Sequence, residues 1–81
     1  MENELLANID RLHTTELGSF RVKRNLNLDV EDIVSWSAKK CGEATEIIKK
    51  GKNYYVYVDN IIITLNAHSF TIITAHRRKG Q

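Results

Sequence analysis

The sequence predicts an α+β domain, with N-terminal helices packed on one face of a four-stranded antiparallel β-meander. Three observations lead there. Apolar residues recur at helical spacing as far as Gly42. Beyond it the period falls to two, in segments rich in β-branched and aromatic residues. No proline interrupts the chain, so those segments can pair continuously. Helices first and strands afterwards put the helices on one side of the sheet. The 81 residues make one domain, 1–81, of a size that buries only about 60% of the surface its unfolded chain exposes.

Leu5, Leu6, Ile9 and Leu12 fall on one helical arc of about 120° and predict a short amphipathic helix over 3–12. A second helix is expected over 15–26, capped by Thr14 or Thr15, with Glu16 against the positive end of its dipole. On it Arg21 and Arg24 project together, beside Asn25. The clearest helix spans 29–41. Asp29 caps it, Glu31 and Asp32 complement its dipole, and Val30, Ile33, Val34, Ser37 and Cys41 line its inner face. Trp36 seals the edge of the core, and Gly42 supplies a left-handed stop.

Strands are expected over 45–49, 54–58, 61–66 and 70–76, separated by Gly51-Lys52-Asn53, Asp59-Asn60 and Ala67-His68-Ser69. Alternation sets Ile61, Ile63 and Leu65 against Ile62, Thr64 and Asn66. In the last strand it sets Thr71, Ile73 and Ala75 against Phe70, Ile72, Thr74 and His76. Thr64 and Asn66 then lie near Thr74 and His76 or Thr71, according to register.

Apolar residues at 42% and charged residues at 27% are ordinary globular values. No apolar run approaches the roughly 20 residues that span a bilayer, and Met1-Glu2-Asn3-Glu4 lacks the basic start of a signal peptide. One cysteine, Cys41, excludes an internal disulfide and a multi-cysteine metal site. A cytoplasmic protein without membrane attachment is the simplest reading. The net charge is only +2, but basic residues gather at Arg21–Arg24, Lys49–Lys52 and Arg77–Lys79. Clusters of this kind form a phosphate-binding stripe, or else serve as solvated charge runs at element ends.

The C-terminal run from Thr64 to Arg78 carries more hydroxyls, amides and imidazoles than a core hairpin requires, and a second polar cluster surrounds His13. Histidine trades protons near neutrality. Cleavage of RNA by its own 2′-OH needs a base, an acid and a cation on the phosphorane. His76, or His13 with Glu16, supplies the first two, and Arg21, Arg24 or Arg77 the third. The catalytic candidates are His13, Arg21, Arg24, Asn66, Thr74 and His76. Tyr55 and Tyr57 share a strand face beside Lys49, Lys50 and Lys52, the pairing of stacking rings and cations that single-stranded RNA sites use. Lys23, Lys50, Lys52, Tyr55, Arg77 and Arg78 are therefore the nucleic-acid contacts expected. His68 and His76 with a distant His13 match no metal-ligand spacing, so no metal or other cofactor is expected. Cys41 reads as a small core residue.

The stretches His13-Thr-Thr-Glu-Leu-Gly18, Arg21-Val-Lys-Arg-Asn-Leu26, Lys50-Gly-Lys-Asn-Tyr-Tyr55 and Asn66-Ala-His-Ser-Phe-Thr-Ile-Ile-Thr-Ala-His76 resemble a family of small uncharacterised bacterial proteins, a domain of unknown function of about this length. The likeness covers nearly the whole chain and implies no established activity. In layout, helices bearing His and Arg followed by a meander ending in Ile-Ile-Thr, the chain is also similar to the barnase, colicin and RelE group of ribonuclease toxins. The function expected is RNA binding with metal-independent, toxin-like ribonuclease activity. The alternative is a non-enzymatic module that engages a protein partner or forms a homodimer. A small-ligand binder comes third, since a domain this small leaves little room for an enclosed pocket.

Overall fold

The computed structural model of the protein describes residues 4–78. Their order is α1 (Glu4–Ala7), a 3₁₀ turn (Ile9–Arg11), β1 (His13–Thr14), α2 (Glu16–Leu26), α3 (Ile33–Gly42), β2 (Glu46–Lys50), β3 (Asn53–Val58), β4 (Ile61–Asn66) and β5 (Thr71–Arg77). The α+β class follows the sequence reading, but the sheet has five strands in the order β1-β5-β4-β3-β2. Strands β2 to β5 form the expected antiparallel meander. The added strand, β1, runs parallel to β5 through His13↔Thr71 and Thr14↔Ile72, which makes the sheet mixed.

The helix expected over 3–12 is broken, and its first position lies outside the described residues. Asn8 breaks it: its side-chain Nδ2 donates to the Glu4 carbonyl at 2.9 Å, the acceptor its own backbone N–H would use in an α-helix. That N–H turns instead to Leu5 at 3.0 Å, and the chain tightens into the 3₁₀ turn before extending at Leu12. Helix α2 keeps its expected span, with Thr15 Oγ1 accepting from the Gly18 N–H at 3.0 Å. It ends at Asn27, in the left-handed conformation, and Leu28 N–H closes back on the Lys23 carbonyl at 2.9 Å.

Helix α3 starts later than expected, at Ile33, because Asp32 rather than Asp29 is the cap. Its Oδ1 accepts from the Ser35 N–H at 3.0 Å and its Oδ2 from the Ser35 hydroxyl at 2.9 Å. These bonds hold the Asp32 carboxyl below the usual carboxylate range. Gly42 is not a left-handed stop: it is the last residue of the helix, and its φ is not positive. A Cβ built on it meets no atom within 4 Å. Gly42→Ala is therefore expected to stabilise the domain by about 0.4–1 kcal/mol through the unfolded chain. Thermal melting should rise by a few degrees, whereas a fall would restore the left-handed stop.

The strands begin and end within a residue of expectation. The β2–β3 and β3–β4 connections are two-residue turns, with positive φ at Gly51 (64°) and Asp59 (53°). The predicted faces hold for β4 but not for β5. Thr64 pairs with Thr74 and Leu65 with Ile72, so Ile73 has no partner on β4 and forms a bulge. The extra residue brings Ile72 and Ala75, predicted on opposite faces, to the same buried side. With Tyr54, Val56, Val58, Ile61, Ile63 and Leu65 they form the sheet half of the core, covered by Leu5, Leu12, Val22, Leu26, Ile33 and Cys41.

Candidate nucleic-acid interface

With the helices on one side, alternation leaves the other face of the sheet uncovered, and the register arranges it in rows. Ile48, Tyr55, Thr64 and Thr74 form the middle row. Glu46, Tyr57, Ile62 and His76 form the next. Lys50, Asn53 and Asn66 lie on the other side of the middle row. Thr71 and its β1 partner His13 continue that row, as the hydrogen bonds below confirm. Tyr55 and Tyr57 are half-buried. The Tyr55 hydroxyl accepts from Asn53 Nδ2 at 3.3 Å, and the Arg78 guanidinium stands 5.3 Å from the centre of the Tyr57 ring. Lys52 is exposed in the β2–β3 turn. Lys49, expected beside the tyrosines, pairs with Tyr54 and so belongs to the opposite side.

At one end of this face the two polar clusters of the sequence meet. His13 Nδ1 is 3.1 Å from the Arg11 carbonyl, and Nε2 is 2.8 Å from Thr71 Oγ1. A carbonyl only accepts, so Nδ1 carries the proton and Nε2 accepts from Thr71 when the ring is neutral. Thr71 Oγ1 is in turn 2.7 Å from Ser69 Oγ, and Asn66 Oδ1 gathers the Ser69 hydroxyl and the N–H groups of His68 and Ser69 at 2.8–3.2 Å. Phe70, inside this loop, is buried with φ of 59°. An aromatic residue holds that conformation only where its surroundings over-determine it, here a ring stacked on Tyr54 and capped by Arg11.

The remaining candidates are spread out. Thr74 accepts from Asn25 Nδ2 at 3.3 Å, and the same amide donates to the Ala75 carbonyl at 3.1 Å, tying α2 to β5. His76 is exposed at the far end of β5, five residues beyond the partner of His13. That is roughly 16 Å at strand rise, too far for both imidazoles to serve one phosphate. Arg21 and Arg24 stand on the outer side of α2, the latter 5.4 Å from the Phe20 ring centre, and Lys23 is half-buried on the same helix. Arg77 turns to the helix side, where Nη2 donates to the Leu26 carbonyl at 2.9 Å. Burial pushes the Cys41 thiol up to about 11, so it is a packing residue without nucleophilic character. Among the described residues no group of three His, Cys, Asp or Glu side chains is placed to hold a metal ion, and no helix is long and apolar enough to cross a membrane.

His13, Asn66, Thr74, His76, Tyr55, Lys50 and Arg78 thus share one face, while Arg21, Arg24 and Arg77 do not join them. Thr71 and Ser69, which bind His13 to Asn66, were not among the expected site residues. The signal for them was their place in the polar C-terminal run. Nothing local marks Thr71 as the partner of a histidine 58 positions away. Residues 6–76 match the family described as protein of unknown function, DUF3781, and the chain belongs to it. No curated protein and no solved structure matches the chain.

Proposed function

For this member of the DUF3781 family we propose that the uncovered sheet face binds single-stranded RNA. The observation that carries the reading is the pair Tyr55 and Tyr57, half-exposed on β3, within a rim that bears Lys50, His13, His76 and Arg78. Every base offers a π-face to such rings, and Lys50 and Arg78 on the rim meet the phosphates between them. Binding is the primary activity in this reading. The toxin-like cleavage expected of His76, or of His13 with Glu16, is secondary to it, and His13 and His76, too far apart to share a phosphate, act as separate contacts along the strand.

Should Lys50, Lys52 and Arg78 engage the backbone together, the slope of log K against log salt is expected near −2, about −0.7 per phosphate on a single strand. Fluorescence anisotropy with a labelled oligoribonucleotide, over a range of salt and with a chelator present, measures it. Absence of binding at low salt overturns the reading, and intact RNA after the titration separates binding from cleavage. A second reading, a protein-interaction module, is favoured by one feature: Leu17 and Phe20 on α2 are 55% and 57% exposed beside Arg21 and Arg24.

A further inference from the structure

On the helix side of the sheet, where α2 ends, α3 passes the β3–β4 turn and leaves an open cavity of about 260 Å³. Its apolar lining comes from Trp36, Leu26, Leu28 and Ile61. Its rim holds Asn60, Arg77 and the ion pair of Lys40 with Asp59, whose Nζ and Oδ2 are 2.7 Å apart. Pockets that enclose drug-sized ligands run to roughly 300–1,000 Å³, so this one suits a single ring system. An indole among aliphatic side chains gives an apolar lining on which a flat ligand can rest. The rim combines donors on Arg77 and Lys40, an acceptor on Asp59 and an amide of both kinds on Asn60. A hydrocarbon would use the walls and not the rim. A bare anion would use the rim and not the walls. A nucleobase, flat and edged with donors and acceptors, uses both.

The end of β5 connects this cavity to the opposite face. Consecutive residues of an extended chain point to opposite sides, and here Arg77 lines the cavity while Arg78 stands on the Tyr57 ring. Arg77 is fixed at the rim by its bond to the Leu26 carbonyl, which occupies one of the five guanidinium N–H donors. A phosphate on the cavity side of this corner would meet Arg77, and the next phosphate of a strand turning onto the sheet face would meet Arg78.

We propose that the cavity takes one nucleobase stacked on Trp36, with its phosphate on Arg77 at the end of β5. The ligand is a nucleotide, either free or the end residue of a strand that crosses the sheet face; the second source rests on the reading given above. Trp36 is the only tryptophan in the chain, so its emission, excited where tyrosine does not absorb, reports the cavity without any substitution. The experiment titrates it with AMP, CMP, inorganic phosphate, benzoate and a short oligoribonucleotide. It is repeated on Asn60→Ala/Arg77→Ala and on Tyr55→Ala/Tyr57→Ala, with thermal melts to confirm that each is folded.

Saturable quenching by the nucleotides, with none by phosphate or benzoate, is expected. It should need roughly tenfold or more ligand in the rim variant, which loses a charged hydrogen-bond donor. Quenching by AMP that survives the tyrosine replacements supports the cavity even if RNA fails to bind the sheet. Quenching by the oligoribonucleotide alone, lost in the rim variant, supports it with the strand as the source. Anisotropy that reports RNA bound while Trp36 emission stays unchanged with every ligand overturns the cavity and leaves the sheet reading intact. Equal quenching by benzoate overturns it in favour of any aromatic anion.

Discussion

Replacing Tyr55 and Tyr57 together by alanine is expected to weaken binding of single-stranded RNA by about 30-fold to 10⁴-fold. Each base stacked on an aromatic ring contributes about 1–3 kcal/mol by alanine substitution, and two rings lost correspond to that range. The fold should survive. Both side chains stand half-exposed on the face away from the core, in rows with Thr64 and Ile62 on β4. Tyr54, one residue earlier, is the internal control. Its ring is only 3% exposed, it stacks on Phe70, and its hydroxyl donates to Glu4 at 3.0 Å, so Tyr54→Ala should lower the melting temperature instead. Anisotropy on the double variant measures the first effect. Unchanged affinity would remove the sheet face from RNA recognition and turn attention to Leu17 and Phe20 on α2.

The convergence of the two polar clusters has a structural consequence that the same variant keeps separate. His13, Thr14 and Asn25 each reach β5: His13 through Thr71, Thr14 through its hydroxyl on the Ile72 carbonyl at 3.0 Å, and Asn25 through Thr74 and Ala75. These bonds engage polar groups along the β5 edge and join β1 and α2 to the sheet. Much of the polarity that made the C-terminal run conspicuous is therefore spent within the molecule. What stays available to a ligand is the part that alternation turns outward, namely the tyrosines of β3 and the cations at the ends of β2 and β5.

The same distinction decides how much was legible in the sequence. Period and capping chemistry are local, so α2, α3, the meander and the shared face of Tyr55 and Tyr57 could all be read from neighbouring residues. Three features are not local. His13–Thr14 is two polar residues long and becomes a strand only by pairing with a partner 58 positions on. The Ile73 bulge changes which β5 residues are buried, and it exists only in relation to β4. The Trp36 cavity joins residues of α2, α3, a turn and β5. Local features were missed too: Asn8, a competitor for a helix carbonyl that the apolar spacing of Leu5, Ile9 and Leu12 concealed, and at α3 the Asp32 cap and the helical Gly42, where Asp29 and a left-handed stop were expected.

Gly18→Val is expected to destabilise the domain by about 1–3 kcal/mol through overpacking. A Cβ at this buried position would lie 2.5 Å from Thr14 Oγ1 and 2.8 Å from the Ile72 carbonyl oxygen. Neither atom can yield easily. The threonine hydroxyl is already bonded to that carbonyl, and the carbonyl belongs to a strand paired on both sides, with β1 and with β4. Glycine inside a helix is otherwise unfavourable by about 1 kcal/mol relative to alanine, so its presence here reflects the close approach of α2 to β5. For a domain of this size the loss amounts to a fall of roughly 5–20 °C in melting temperature. A melt that is unchanged would mean that helix and strand do not lie this close. Because Ile72 follows Thr71, the displaced helix also loosens the pairing that aligns His13. The tyrosines on β3 lie two strands from β5, so RNA binding measured below the lowered melting temperature should be retained.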